Sequence, residues 1–124
     1  MSDTAGRRAE RVAERIRVEL MDRLVRGVVR DPSAADCFVT AVRVTDDLRT
    51  ARVWVRMLRP DVSEQTREQA VAALNRAAGF LRREIAPRLK LKHQPELRFV
   101  WDEGDERAAR IEALLAEDRG EDVP

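Results

Sequence analysis

The chain has 124 residues, of which 44% are hydrophobic and 38% are charged. This length suits one domain with a single modest core. No apolar stretch approaches the roughly 20 residues that a membrane-spanning helix needs, and the N-terminal residues lack the apolar segment of a signal peptide. The one cysteine, Cys37, cannot form an internal disulfide and lies in an apolar run. We therefore expect a cytoplasmic protein with Cys37 in or near its core and not acting as a nucleophile.

Charge is distributed unevenly along the chain, although the net charge is only +1. From Trp101 onward nine acidic residues face three arginines, so the preceding part of the chain is strongly basic. Such a distribution favours a polyanionic partner. All but two of the 24 basic residues are arginine, the exceptions being Lys90 and Lys92. Arginine can bind phosphate through two parallel hydrogen bonds, but a GC-rich genome would give the same bias, and both explanations stay open.

Apolar periodicity predicts a long amphipathic helix at the start of the chain. After five frayed residues, apolar side chains recur every four positions from about Gly6 to Arg30. Asp31-Pro32 is expected to end this helix, because proline and its predecessor both resist helical geometry. The opposite helix face carries arginines among glutamates, which is typical of a solvated face with i,i+4 ion pairs. An RNA-binding face is the alternative.

Two runs of alternating side chains predict an antiparallel β-hairpin. In the first strand, from Cys37 to Thr45, one face is predicted to carry Phe38, Thr40, Val42 and Val44. In the second, from Ala51 to Leu58, the inward residues are predicted to be Ala51, Val53, Val55 and Met57. The other face carries Arg52, Trp54 and Arg56. Outward Trp54 could stack on a nucleic-acid base, or it could be shielded by the first or last helix.

The second half of the chain predicts two consecutive helices and a third strand. A helical pattern from about Ser63 is interrupted at Gly79, and a second short helix follows with Pro87 as an awkward interior residue. Alternating Leu97, Phe99 and Trp101 predict the strand. A short helix is expected at about 105–116. We thus predict an α+β domain over 6–116 in the order α-β-β-α-kink-α-β, between a flexible start (1–5) and a disordered acidic tail (117–124).

The segment around the helix interruption has the highest local charge. It contains seven basic residues: Arg76, Arg82, Arg83, Arg88, Lys90, Lys92 and Arg98. Only Glu84 and Glu96 oppose them. If Gly79 redirects the chain through a positive φ, the N–H groups of Gly79, Phe80 and Leu81 are free donors for a phosphate backbone. A plain helical corner with a C-cap glycine also explains this spacing.

No pattern of residues predicts catalysis. Asp46 and Asp47 are explained as turn formers, and Asp102 and Glu103 as the end of a strand, so a metal-dependent nuclease cluster is not required. The single histidine, His93, has no second histidine or cysteine nearby to complete a zinc site. A glycine-rich phosphate loop of the Walker type and a nucleophile elbow are both missing. We expect no enzymatic activity, metal, cofactor or small-molecule substrate.

Four short motifs occur together in a characteristic order. The first helix ends near Asp31-Pro32, and Asp47-Leu48 precedes Ala51 and Val53. Ala77-x-Gly79-Phe80-Leu81-Arg82 marks the kink, and Pro95-Glu96-Leu97-x-Phe99 leads to Asp102, before a closing helix with Ile111, Leu114 and Leu115. From about Arg8 to Leu115 the chain therefore resembles the ribosome-binding factor A family, whose members are small bacterial factors for assembly of the 30S ribosomal subunit.

The resemblance implies a type-II KH-like domain with a three-stranded sheet, helices on one face and a short C-terminal helix. In this family an Ala-x-Gly kink replaces the usual GxxG loop. The resemblance also implies a monomer that binds 16S rRNA in the free 30S subunit and promotes late maturation and processing of that RNA. The family pattern favours arginine where Lys92 stands, and it does not call for Pro87.

Carried onto this chain, the resemblance and the local charge indicate a set of RNA-binding residues. They are Arg76, Ala77, Gly79, Arg82, Arg83, Arg88, Lys90 and Lys92. Two alternatives are a KH-like module for another single-stranded RNA and a protein-interaction adaptor that uses the first helix and the acidic tail. Phosphate-driven binding weakens steeply as salt rises, whereas binding by such an adaptor is expected to be insensitive to salt.

Overall fold

The computed structural model describes residues 4–104 and 114–118. The helices are α1 (Thr4–Val25), α2 (Glu64–Arg76) and α3 (Ala78–Leu89), and the strands are β1 (Cys37–Val44), β2 (Thr50–Met57) and β3 (Glu96–Trp101). A single 3₁₀ turn, Pro32–Ala34, precedes β1, and residues 114–118 are helical. The predicted α-β-β-α-α-β order is confirmed. The predicted limits of the domain and its tails stay a prediction, since 1–3, 105–113 and 119–124 lie outside the described residues.

The three strands form one mixed sheet in the order β1-β2-β3. β1 and β2 are an antiparallel hairpin, whose turn is held by Asp47 Oδ1 as it accepts hydrogen bonds from the Thr45 hydroxyl (2.7 Å) and the Arg49 N–H (3.0 Å). β3 lies parallel to β2, with Val53 opposite Phe99. Parallel neighbours need a crossover connection, and α2 and α3 together provide it.

The core lies between one face of the sheet and the three helices. The inward residues of β2 are those predicted, and Ala51, Val53 and Val55 are fully buried. They face apolar side chains of the helices, namely Ile16 and Leu20 of α1, Ala70 and Leu74 of α2, and Leu81 and Ile85 of α3. In the described part of the chain no helix is long and apolar enough to cross a membrane.

The first helix ends earlier than predicted, at Val25 and not near Arg30. Gly27 adopts φ +72°, and its N–H donates to the Leu24 carbonyl (3.1 Å) while the Val28 N–H donates to the Arg23 carbonyl (3.3 Å). This is a Schellman ending, which glycine permits because it lacks a Cβ. The Asp31-Pro32 signal instead starts the separate 3₁₀ turn.

The face predicted for β1 is wrong in the first half of the strand. A β-bulge lies between Val39 and Ala41, and the residues that point into the core before it are Cys37 and Val39. Beyond the bulge Val44 is buried, as predicted. One extra residue reverses the alternation, because side chains repeat with a period of two.

Of the two alternatives for Trp54, the structure excludes exposure for base stacking and agrees with a shielded side chain. Its side chain is only 1% exposed, although Trp54 points to the sheet face opposite Val53 and Val55. On β1, Arg43 forms an ion pair with Asp118 at 2.8 Å, and both side chains are mostly buried. The helical residues 114–118 therefore contact the sheet through Asp118.

Candidate nucleic-acid interface

A single residue separates α2 from α3. Ala77 has φ −88° and ψ 0°, and its N–H donates to the carbonyls of Ala73 and Leu74, each at 3.1 Å. Its own carbonyl accepts from the Leu81 N–H at 2.9 Å. Ala77 thus closes one helix and opens the next, and the chain bends at this position without a loop.

Gly79 lies inside the first turn of α3 and does not adopt a positive φ, so the predicted role of Gly79 in redirecting the chain is wrong. A Cβ built at this position meets only Arg83 Nη1, at an ordinary distance of 3.6 Å. The fold therefore does not require glycine here. What glycine does provide is a first helical turn with no side chain of its own at this position, so that only Arg83 lies nearby.

The first turn of α3 begins without a side-chain cap, because alanine occupies the N-cap position. Of the three N–H groups expected to be free, that of Leu81 is already bonded to Ala77. The N–H groups of Gly79 and Phe80 belong to the turn that an α-helix cannot satisfy internally. These two N–H groups are hydrogen-bond donors at the kink, where the positive end of the helix dipole also lies.

Asn75 fixes the kink to the edge of the sheet. Its amide Nδ2 donates to the Phe99 carbonyl at 3.0 Å, and its Oδ1 accepts from the Phe99 N–H at 2.8 Å. The amide therefore pairs with β3 as a neighbouring strand would, on the edge where no strand lies among the described residues. Sequence reasoning missed this residue, because only the tertiary arrangement brings the end of α2 to β3.

The basic residues of α3 are distributed around its exposed surface. Leu81, Ile85 and Leu89 form the buried stripe. At 100° per residue, Gly79 and Arg83 lie opposite that stripe, and the Arg83 side chain is exposed. Lys90, which directly follows the helix with a left-handed φ of 54°, is also exposed. Arg82 and Arg88 lie on opposite flanks of the helix, so the structure brings Gly79 and Arg83 together and separates Arg82 from Arg88.

Both flanks of α3 are tied to neighbouring segments. On one flank the Arg82 guanidinium donates to the Gln94 carbonyl. On the other, the Arg15 guanidinium of α1 donates to the Arg88 carbonyl. The α1 flank also holds Glu84 beside Arg23, with 3.4 Å between Oε1 and Nε. These contacts hold α3 in a fixed position against the rest of the domain.

Arg76 lies at the kink, but its charge is partly neutralised. Its guanidinium pairs with Asp31 Oδ2 at 2.9 Å. The pKa of Asp31 lies below its ordinary value because the Ser33 N–H donates to the carboxylate and Arg76 stabilises the charge. Within residues 4–104 and 114–118, the cations of the predicted set without a carboxylate partner are Arg82, Arg83, Arg88, Lys90 and Lys92.

An open groove of about 600 Å³ extends this basic surface. Arg82 and Lys92 line it together with Arg8 of α1 and Arg49 of the hairpin turn. Of the two acidic residues of the groove, Glu96 pairs with Arg98 at 3.0 Å, whereas Asp47 holds the turn and its carboxylate also lies 3.9 Å from Arg49 Nε. Arg49 was not predicted from the sequence, and Arg8 belonged to a helix face for which RNA binding was only the alternative to a solvated face.

Other residues of types that could act in catalysis or metal binding have structural roles. Asp102 is buried, and its carboxylate accepts hydrogen bonds from the Thr40 hydroxyl and the Gly104 N–H. Burial raises the pKa of the Cys37 thiol to about 11, so Cys37 is the core residue that was predicted. Among the described residues, no three side chains of the His, Cys, Asp and Glu types come together as a metal site.

Comparison with known proteins agrees with this architecture. The chain is 40% identical to ribosome-binding factor A of Syntrophobacter fumaroxidans over 111 residues, which cover 90% of this chain and 93% of the relative. A solution structure from Thermotoga maritima, assigned to the same factor, gives a TM-score of 0.65 at 34% identity and covers 78% of this chain and 89% of that chain. The crystal structure of ribosome-binding factor A from Thermus thermophilus gives 0.60 at 25% identity, with coverage of 74% and 93%.

The match to a protein family is equally extensive. Residues 8–115 match the family described as ribosome-binding factor A. This range is the one over which the four motifs were recognised, and the KH-like α+β fold implied by the resemblance is confirmed. The chain belongs to the ribosome-binding factor A family.

Proposed function

We propose that this protein is a cytoplasmic, monomeric and non-enzymatic assembly factor that binds 16S rRNA in the free 30S subunit. In this proposal it promotes late maturation and processing of that RNA. The observation that carries the proposal is the cluster of cations without carboxylate partners beside the first turn of α3. The relatives of the chain bear the name ribosome-binding factor, which supports a ribosomal partner.

The kink supplies the geometry for a phosphate group. The first turn of α3 offers N–H donors and a positive dipole end, the environment in which helices hold phosphate. Gly79 keeps that turn uncovered, and Arg83 lies one turn further along the same side, with Nη1 3.6 Å from where a Cβ of residue 79 would be. A phosphate at this point would therefore meet backbone donors and a guanidinium together.

The groove supplies additional contacts on the Arg82 flank of α3. Arg8, Arg49 and Lys92 come from three separate segments of the chain and line one depression. Contacts of this kind fix the register of an RNA through its phosphates and shape, without reading its sequence. We infer that α3 and the groove together form one RNA-binding surface, which comprises Gly79, Arg82, Arg83, Lys90, Lys92, Arg8 and Arg49.

Charge reversal tests the surface directly. The double variant Arg82→Glu with Arg83→Glu should abolish co-sedimentation with purified 30S subunits, because it places two carboxylates where phosphates would lie. Neither side chain is buried, so far-UV circular dichroism and the melting temperature should stay close to those of the parent. Only the Arg82 bond to the Gln94 carbonyl is lost.

A matched control separates this surface from net charge. Arg17→Glu with Arg59→Glu changes the total charge equally, but Arg17 lies on the β1 side of α1 and Arg59 follows β2. This control should still sediment with 30S subunits. Unchanged sedimentation of the Arg82/Arg83 variant would refute the surface assignment, and equal loss in both variants would mean that only overall charge matters. Tight binding of short single-stranded oligonucleotides, with none of 30S subunits, would favour the general KH-like module.

A further inference from the structure

Phe80 is an aromatic side chain that the core does not use. It is 40% exposed, whereas Trp54 and Phe99 are buried and Phe38 and Trp101 are partly buried, which makes Phe80 the one exposed phenylalanine or tryptophan in the described part of the chain. Its neighbours Ala77 and Ala78 pack against the hydrophobic core, but Phe80 does not belong to that group. The exposure of Phe80 therefore has no evident benefit for folding.

The surroundings of Phe80 are cationic. It directly follows Gly79 in the uncovered first turn of α3, and Arg83, three residues further on, lies on the same exposed side of the helix. The nearest acidic residue in sequence, Glu84, is held by Arg23 of α1. The other large apolar residues that are exposed lie on α1 or just after β2, namely Val18, Val25 and Leu58.

An aromatic ring beside unpaired cations matches the chemistry of a nucleotide. A base presents a flat π face and its phosphate a negative charge, so a ring and a guanidinium on one helix face can hold the two parts together. An apolar surface of a protein partner would match the ring but would leave Arg83 without a counter-charge. Charge complementarity therefore favours RNA as the occupant of this position.

We propose that Phe80 stacks on an unpaired base of the bound RNA while Arg83 contacts a neighbouring phosphate. This inference rests on the proposed RNA-binding function and adds a requirement to it. A base can stack on a side chain only where it is not stacked within a duplex, so the surface selects a loop, a bulge or a strand end. Phosphate contacts alone impose no such selection.

Three substitutions isolate the aromatic face. Phe80→Ala removes the side chain, Phe80→Leu keeps an apolar group without a π face, and Phe80→Trp enlarges the π face. Phe80→Ala and Phe80→Leu should each weaken binding to purified 30S subunits by about five- to 100-fold, the range typical of one stacked base. Phe80→Trp should bind within about threefold of the parent. Because Phe80 is 40% exposed, Phe80→Ala should lower the melting temperature only modestly, and Phe80→Leu, which keeps most of the apolar contact, should change it little.

Fluorescence of the Phe80→Trp variant reports stacking directly. The new indole should be quenched when 30S subunits bind, beyond any change in the parent, whose own tryptophans Trp54 and Trp101 provide the reference. If Phe80→Leu binds like the parent, or if the indole shows no additional quenching, the stacking proposal is overturned. Loss of binding in Phe80→Ala but not in Phe80→Leu would indicate an apolar contact with a protein. If Arg82→Glu with Arg83→Glu abolishes binding while Phe80→Leu does not, only stacking fails. If all variants bind like the parent, the proposed RNA-binding surface fails as well, whereas the proposed function itself fails only if the parent does not bind 30S subunits.

Discussion

At the scale of single residues, Asn75 shows how one side chain aligns the kink with the sheet. Within the described part of the chain β3 is an edge strand, and the Phe99 N–H and carbonyl point away from β2. An unpaired edge exposes backbone donors and acceptors that attract other chains. Asn75 satisfies both backbone groups of Phe99 at once. Because Asn75 directly precedes Arg76, the same two hydrogen bonds attach the end of α2 to β3. It therefore stabilises the sheet edge and positions the kink beside the proposed RNA-binding surface.

Replacement of Asn75 should lower stability and disturb the kink. Asn75→Ala removes two hydrogen bonds and leaves two backbone groups of a buried residue without their partners, so we expect a loss of about 1 to 3 kcal/mol in the free energy of unfolding. Urea denaturation measures it. Gln69→Ala is the control, since Gln69 is an exposed residue of the same helix. Substitutions at exposed positions change the free energy of unfolding by no more than about 0.5 kcal/mol. Equal effects of the two substitutions would show that the amide pair contributes nothing.

At the scale of secondary structure elements, the two glycines near helix ends have opposite roles. Gly27 ends α1 with φ +72°, a conformation that a Cβ opposes, whereas Gly79 is helical and has room for a Cβ. Gly27→Ala should therefore destabilise the protein by about 1 kcal/mol. Gly79→Ala should stabilise it by as much as about 1 kcal/mol, because alanine is the better helix former. Thermal or urea unfolding measures both changes.

Binding should separate the roles of these glycines further. Gly79→Ala should weaken association with 30S subunits despite its higher stability, because the new methyl group covers the first turn of α3 where a phosphate would approach. Gly6→Ala is the matched control, since Gly6 is also helical with open space around it. It should stabilise the protein without a change in binding. If Gly79→Ala binds like the parent, close approach to that turn plays no part in RNA recognition.

The same elements show which structural features a sequence can predict. The α1 stripe, the inward face of β2 and the position of the kink were predicted because each depends on residues adjacent in the chain. The bulge near Thr40 was not, because one extra residue reverses the alternation without altering the apolar pattern. Burial of Trp54 was left open, because Arg52 and Arg56 on either side also fit an exposed face. In both cases packing against segments distant in the sequence determined which side chains are buried.

The candidate site was predictable in part for the same reason. Arg82, Arg83 and Gly79 were identified from a local cluster of charge and a local interruption. The structure adds Arg8 and Arg49, which are far from Arg82 in sequence and meet it only across the groove. The ion pair between Arg76 and Asp31 likewise could not be predicted from neighbouring residues, since Asp31 belongs to the turn before β1.

At the scale of the whole molecule, the acidic residues near the kink are used within the protein. Asp31, Glu84 and Glu96 pair with arginines, and Asp118 pairs with Arg43 on the sheet. The cations of α3 and its following loop keep their charge available to a partner. A net charge of +1 therefore coexists with one strongly basic surface, because opposite charges are paired elsewhere rather than evenly mixed.

This charge arrangement predicts a steep dependence of binding on salt. Each phosphate contact contributes about 0.7 to 0.9 to the slope of log Kobs against log salt concentration, because counterions are released when a cation replaces them. Binding to 30S subunits measured at several salt concentrations should therefore weaken with a slope of several units. Arg83→Gln should reduce the slope by about one contact, whereas Arg59→Gln, remote from the kink, should leave it unchanged. Salt-independent binding would instead identify a protein-interaction adaptor. If the slope for Arg83→Gln equals that of the parent, Arg83 does not contact a phosphate.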